Sequence, residues 1–309
     1  PEPEFPDYPV VQLIADRYRV VNAIGRSRAG VAYLCVDTEL EMACVVKSLA
    51  PGREFPAADM PLIRQNFQEL MKHSHPNLVQ IRDVRRDETT GELFVVMEKL
   101  EGIDLRAYTH EQVTEHGHVE LDDVLPLLRL TAEAVDNVNQ ACGCIHNDLK
   151  PESVFLVDQA RAVKLLDYGI TRRPPVETSG IGTAMPAQPP LPLETPDYMA
   201  PEKLDADAAT IQADQYSLAV IVYEVLGRRL PFWLHDQRHA PDDGRLNDDE
   251  AYRARLQKMH QRICAETPDR LEGVSNAVNT VLQRALSRTP DQRFSDCREF
   301  VSHLERAAH

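Results

Sequence analysis

No run of apolar residues in this sequence approaches the ~20 that crossing a bilayer requires, and no leader-like segment opens it. Membrane insertion within this segment is therefore argued against. Positive charge is also in short supply: 34 Lys and Arg against 49 Asp and Glu give a formal net charge of -15. Such a surface repels polyanions, which argues against nucleic acid and anionic lipid as general partners. The six cysteines, Cys35, Cys44, Cys142, Cys144, Cys264 and Cys297, match no zinc template. Cys142 and Cys144 have one residue between them, where a C-x-x-C site needs two. They read as reduced thiols of a cytosolic protein. His73, His75, His116 and His118 likewise form no metal-binding pattern. The expected setting is the cytoplasm, with the chain standing alone or forming the cytosolic domain of a longer protein.

What is present is enough for a sizeable core: 43% of the 309 residues are hydrophobic. Residues 1–15 are Pro-rich and acidic and read as a linker or tail. Strand-like runs follow at 18–24, 31–36 and 42–47, then a helix at 61–73 with Ile63, Phe67 and Leu70 at helical spacing. Two more strands fit 78–84 and 93–98, with a turn at 87–91. Beyond Gly102 the pattern turns helical, with helices expected at 121–142, 211–226, 274–286 and 295–307. Residues 172–195, rich in Pro, Gly, Ser and Thr, carry no pattern and read as a functional or disordered loop. A β-rich part thus precedes an α-rich part, and a shared site belongs in the cleft between them.

Phosphoryl transfer needs a cradle for phosphates, a cation on them, a metal ligand and a residue that orients the nucleophile. The chain offers candidates in order: Gly25, Ser27 and Gly30 between two strands; Lys47; the run His146-Asn147-Asp148-Leu149-Lys150-Pro151-Glu152-Ser153; Asp167-Tyr168-Gly169; and Thr195-Pro196-Asp197-Tyr198-Met199-Ala200-Pro201-Glu202. Together these resemble the Hanks-type serine/threonine protein kinases, in the style of bacterial members, over almost all of residues 17–307.

That resemblance implies an α+β, bilobal fold: a small β-rich N-lobe over 16–98, a hinge at 99–102 and a larger helical C-lobe over 103–309, with an activation segment at 167–202. It implies ATP with Mg²⁺ or Mn²⁺ as cofactor. The catalytic group would be Asp148, accepting the substrate hydroxyl proton, with Lys150 on the transferred phosphoryl group, Lys47 on the α- and β-phosphates, and Thr195 beside Asp148. The nucleotide would lie among Ile24, Gly25, Ser27, Gly30, Ala32, Val45, Met97, Glu98, Leu100 and Phe155. Asp167 and Ser153 would take the metal. Asp214 would cap the catalytic loop and Arg293 would pair with Glu202.

The chain departs from the family pattern in one compensated pair and at three positions that bear on activity. Ala32 and Val45 reverse a Val/Ala pair over the adenine, at constant volume. Ser153 stands where the metal-binding Asn is usual, and a hydroxyl is a weaker ligand. Asn66 stands where a helix Glu would pair with Lys47, with Glu69 one turn on; without that partner Lys47 is expected to turn to Asp167. Asn147 replaces the Arg that reads a phosphorylated loop, so modification at Thr178, Ser179 or Thr183 is not expected to act by charge pairing. The leading expectation is a protein serine/threonine kinase of weakened activity, acting on a protein substrate. The alternative is a pseudokinase serving as a regulatory module for a protein partner; a small-molecule kinase is a third. The polar stretch 233–262 and the acidic run from Asp242 to Glu250 read as solvated surface in a partner-docking region.

Overall fold

A computed structural model describes residues 13–27, 30–49, 60–72, 74–143, 145–168, 196–206, 210–232 and 249–309. The first lobe is built on β1 (Leu13–Ile14), β2 (Tyr18–Ser27), β3 (Gly30–Asp37), β4 (Met42–Leu49), β5 (Ile81–Arg86) and β6 (Leu93–Glu98). They form an antiparallel sheet in the order β1-β2-β3-β4-β6-β5. The period-two pattern of the strands gives that sheet two apolar faces. One carries Tyr18, Val20, Tyr33, Cys35, Cys44, Val46, Phe94 and Val96, sealed with Ile14 of β1. Against the other, with Leu49, Val95 and Met97, helix α1 (Met60–Lys72) sets Phe67 and Leu70. The sheet therefore starts at Leu13, inside the stretch read as tail; the surrounding prolines and acids hide a short apolar run.

Aspartates fix the hairpins. Asp37 accepts the Glu39 and Leu40 amides at 3.0 and 3.2 Å and takes both Nε and Nη2 of Arg17. Asp87 accepts the Thr89 and Thr90 amides, both at 2.9 Å, and the Ala15 amide at 3.2 Å, in the turn expected at 87–91. Side-chain acceptors of this kind hold turns by replacing backbone partners. Cys35 and Cys44 face each other across β3 and β4 as free thiols. Burial, then its neighbour Cys44, pushes the Cys35 thiol up to about 12.

The second lobe follows β7 (Ile103–Asp104) with α2 (Leu105–His116), α3 (Leu121–Cys142), β8 (Val154–Val157), β9 (Ala162–Leu165), α4 (Pro201–Ala206), α5 (Ile211–Gly227), α6 (Asp249–Ala265), α7 (Asn276–Ala285) and α8 (Cys297–Ala308). Helix α5 is buried continuously from Ala213 to Val225, as a helix apolar on nearly every side must be, and α3, α7 and α8 pack against it. Asp136 of α3 accepts the Cys297 and Arg298 amides, tying down the first turn of α8. A second sheet, of three strands in the order β7-β8-β9, belongs to this lobe.

The expected strand at 78–84 divides. Its second half becomes β5, while Leu78 bridges Leu165 and the Val79 amide donates to the Leu165 carbonyl at 3.1 Å, joining the lobes. The expected helices are present with ends shifted by a few residues, as helix ends commonly are. Among the described residues no helix is long and apolar enough to cross a membrane.

Candidate active site

Helix α3 ends on Gly143, in the left-handed region at φ 60°, which turns the chain toward His146. The next turn is held from below. The buried Asp214 carboxylate, in the first turn of α5, accepts the His146 amide at 2.7 Å and the Asn147 amide at 3.0 Å. Burial pushes the Asp214 carboxyl up, and His146 with those two amides opposes it. Asn147 takes φ 72°, a conformation Asn tolerates better than most residues. His146 Nε2–H donates to the Leu166 carbonyl at 2.8 Å. The loop and the strand leading to Asp167 are thus one unit.

On this platform Asp148 is buried, and Lys150 Nζ donates to its Oδ2 at 2.6 Å. Burial would push the Lys150 ammonium down, but Asp148, then Asp167 and Glu152, hold it above its ordinary value. Ser153 is 0% exposed; its Oγ donates to the Asp148 carbonyl at 3.1 Å, and its own carbonyl accepts the Leu166 amide at 2.8 Å. The hydroxyl thus fixes the backbone of Asp148.

Asp167 follows β9 at φ 61° and meets Lys47 of β4, Nζ to Oδ2, at 2.6 Å. Burial would raise its carboxyl, but Lys47, with Lys150 and His146, more than offsets this and holds it below the usual carboxylate range. The Tyr168 ring is buried and its hydroxyl donates to the Val79 carbonyl at 2.9 Å, a partner that the sequence does not disclose.

Strand register lines up the first-lobe candidates. Gly25, Ala32, Lys47 and Val95 form one row across β2, β3, β4 and β6. Leu34, Val45 and Met97 form the row two residues along. Ile24 is 52% exposed at the edge. Gly30 has φ 153°, and a Cβ there would stand 1.7 Å from the Ser48 carbonyl, so only glycine fits. Ser48 itself, missed by sequence reasoning, accepts the Val31 amide at 2.9 Å.

Glu98 ends β6, and its side chain accepts the Gln80 amide at 2.9 Å and pairs with Lys164 at 3.1 Å, coupling the segment before Leu100 to β9. Phe155 is half-buried on β8 beside Gly102, where a Cβ would meet the Leu156 carbonyl at 1.9 Å. Thr195, Gly169, Thr178, Ser179 and Thr183, and the stretch from His235 to Asp248, lie outside the described residues, as do the side chains of Ser27, Asn66 and Glu69.

The Glu202–Arg293 pair expected from the sequence is present at 2.8 and 2.7 Å. Arg293 also donates to the Ser287, Gln212 and Arg288 carbonyls, so all five of its N–H groups find acceptors.

A divalent ion here would rely on Asp167 and on phosphate oxygens. Among the described residues there is no group of three or more His, Cys, Asp or Glu able to cage a metal.

A family model described as the protein kinase domain matches residues 18–304. The chain is 27% identical over 304 residues to the serine/threonine-protein kinase Pkn1 of Myxococcus xanthus, covering 96% of this chain and 39% of that protein. It is 27% identical over 296 residues to the serine/threonine-protein kinase PknB of Mycobacterium leprae, covering 95% and 43%. The chain therefore spans about two fifths of the length of these curated relatives. The crystal structure of the Mycobacterium tuberculosis PknI kinase domain matches with a TM-score of 0.64 at 23% identity, covering 96% of this chain and 98% of that one, a likeness of fold.

Proposed function

The chain belongs to the protein kinase family, and on that premise we propose that it transfers the γ-phosphoryl group of ATP to Ser or Thr hydroxyls of proteins. The observation that carries this reading is the meeting of four charges from both lobes in one cleft. Lys47 stands on Asp167 and Lys150 on Asp148, each at 2.6 Å.

In this reading Asp148 orients the substrate hydroxyl and accepts its proton late in the transfer, the O–P bond forming as the bond to the leaving diphosphate breaks. Lys150 neutralises charge on the group in flight and Lys47 holds the α- and β-phosphates. Asp167 would hold Mg²⁺ or Mn²⁺, whose charge polarises the phosphate oxygens. Ser153 would support the site through its bond to the Asp148 carbonyl, with weaker metal ligation than an amide would give. The adenine would lie against Ala32, Val45 and Met97, over Phe155, with Ile24, Gly25, Ser27 and Gly30 above and Glu98 and Leu100 at the hinge. Thr195 would contact Asp148 from the docking loop.

The test is transfer of label from γ-labelled ATP, with Mg²⁺ and with Mn²⁺, to phosphatase-treated protein and to Ser/Thr peptides. Transfer that disappears in Asp148→Asn supports the reading. No transfer with either metal overturns it in favour of a binding module.

A further inference from the structure

One guanidinium gathers four elements of the second lobe. Arg106, the second residue of α2, donates through Nε to Glu152 in the catalytic loop, through Nη1 to Glu224 Oε1 of α5 at 3.1 Å, and through Nη2 to the Tyr198 hydroxyl at 2.5 Å. Tyr198 OH donates onward to Glu224 Oε2 at 2.6 Å, and the Tyr198 carbonyl accepts Ser217 Oγ of α5 at 2.8 Å. The Glu224 side chain is only 8% exposed, whereas those of Arg106 and Glu152 are 39% and 42% exposed. The cluster therefore runs from the core to the surface beside Lys150.

We propose that Arg106 is a positioning residue for protein substrate. Its planar fork fixes the catalytic loop at Glu152 against the 196–200 segment at Tyr198, so the nucleophile hydroxyl is presented to Asp148 in a set register. The proposal rests on the kinase reading.

The charge inventory explains why an arginine is required. Two carboxylates face one cation and one phenol. Without Arg106, Glu152 and Glu224 repel each other and a buried carboxylate keeps one partner of two. A lysine restores the charge, but as a point donor it cannot serve three acceptors in a plane at once. In the kinase reading the catalytic loop carries Asp148 and Lys150, which substrate must meet, while the nucleotide candidates lie in the first lobe, at the hinge and on β8. Loss of the fork should therefore act on peptide and leave ATP alone.

Arg106→Lys and Arg106→Gln are the variants, alone and in a Tyr198→Phe background. Amide hydrogen exchange read by mass spectrometry should speed up in peptides covering 148–155 and 196–203, with peptides of α7 and α8 unchanged. The KM for a Ser/Thr peptide should rise about tenfold, with the KM for ATP unchanged. In the Tyr198→Phe background the added effect of Arg106→Lys should shrink, because the two residues act as one unit. Exchange that rises across the whole chain, or in neither loop, overturns the proposal and leaves Arg106 an ordinary structural ion pair. A wild-type chain that transfers no phosphate sinks the kinase reading, while the exchange measurement still judges Arg106.

Discussion

Lys47 and Asp167 meet across the cleft with Nζ 2.6 Å from Oδ2, so a strand of one lobe is charge-paired to the turn after β9 of the other. In the proposed reading a nucleotide phosphate and its metal would come between them. Their side chains are 10% and 18% exposed, so the pair is far less screened than a surface ion pair. The contact therefore serves two purposes: it joins the lobes, and it stores both charges in position.

Removing the cation should disable the site. Lys47→Met is expected to lower phosphoryl transfer by about 10²–10³, the usual loss for one charge-stabilising group. It should also raise the Asp167 pKa, since Lys47 is the strongest of the groups holding that carboxyl down. The acid limb of the pH–rate profile should move to higher pH by measurement of initial rates. An unchanged acid limb with full activity would sink the assignment.

How far the site can be read in the sequence depends on how local its chemistry is. Asp148, Lys150 and Asp167 are legible as candidates because they fall in runs that resemble kinase motifs, and the structure brings Lys150 onto Asp148 and Lys47 onto Asp167. Asp214 and Arg293 are legible because the same resemblance fixes their partners, and both are found on them. Arg106 is not legible: its acceptors lie 46, 92 and 118 positions away, and no local pattern relates them. Strands β7, β8 and β9 are two to four residues long, too short to show alternation. The tail boundary fails for a related reason, since Leu13 and Ile14 are two apolar residues beside a Pro-rich run and find their meaning only by pairing with β2.

Ser153 separates positioning from metal binding. Ser153→Ala removes the donor to the Asp148 carbonyl and should cost about 1–3 kcal/mol by urea unfolding, with loss of transfer. Ser153→Asn places an amide carbonyl at a fully buried position, where the extra bulk costs about 1–3 kcal/mol. It should still lower the Mn²⁺ concentration for half-maximal rate by about tenfold. If Ser153→Asn leaves that concentration unchanged, position 153 has no bearing on the metal.

Arg293 anchors Glu202 at the start of α4. Its side chain is 0% exposed and all five donors are used, two of them on Glu202. Arg293→Met leaves Glu202 without its cation and three carbonyls without this donor, and is expected to cost about 3–5 kcal/mol in urea unfolding. Glu202→Gln, which keeps an acceptor for the guanidinium, should cost less. Equal losses in the two variants would mean that Glu202, and not the carbonyl set, dominates the anchor.

Acid should loosen the first lobe through its turn aspartates. Hydrogen bonding from Arg17 is the main force holding the Asp37 carboxyl below its ordinary value; burial opposes it, and the Glu39 and Leu40 amides assist. At Asp87 burial pushes upward, but the Thr90, Thr89 and Ala15 amides outweigh it, and the net direction is again down. A carboxyl with a depressed folded-state pKa binds fewer protons in the folded chain than in the unfolded one. Its contribution is therefore fully present above the unfolded value of about 3.9 and is lost as pH falls through the lower folded value. Asp37→Asn can still accept the turn amides but cannot pair with Arg17 as an anion. It should be less stable than wild type at neutral pH, and the gap should close as pH falls below about 4. Urea unfolding at neutral pH and at about pH 3 measures both gaps. If the gap is the same at the two values, Asp37 is not titrating in that window and its bond to Arg17 does not depend on charge.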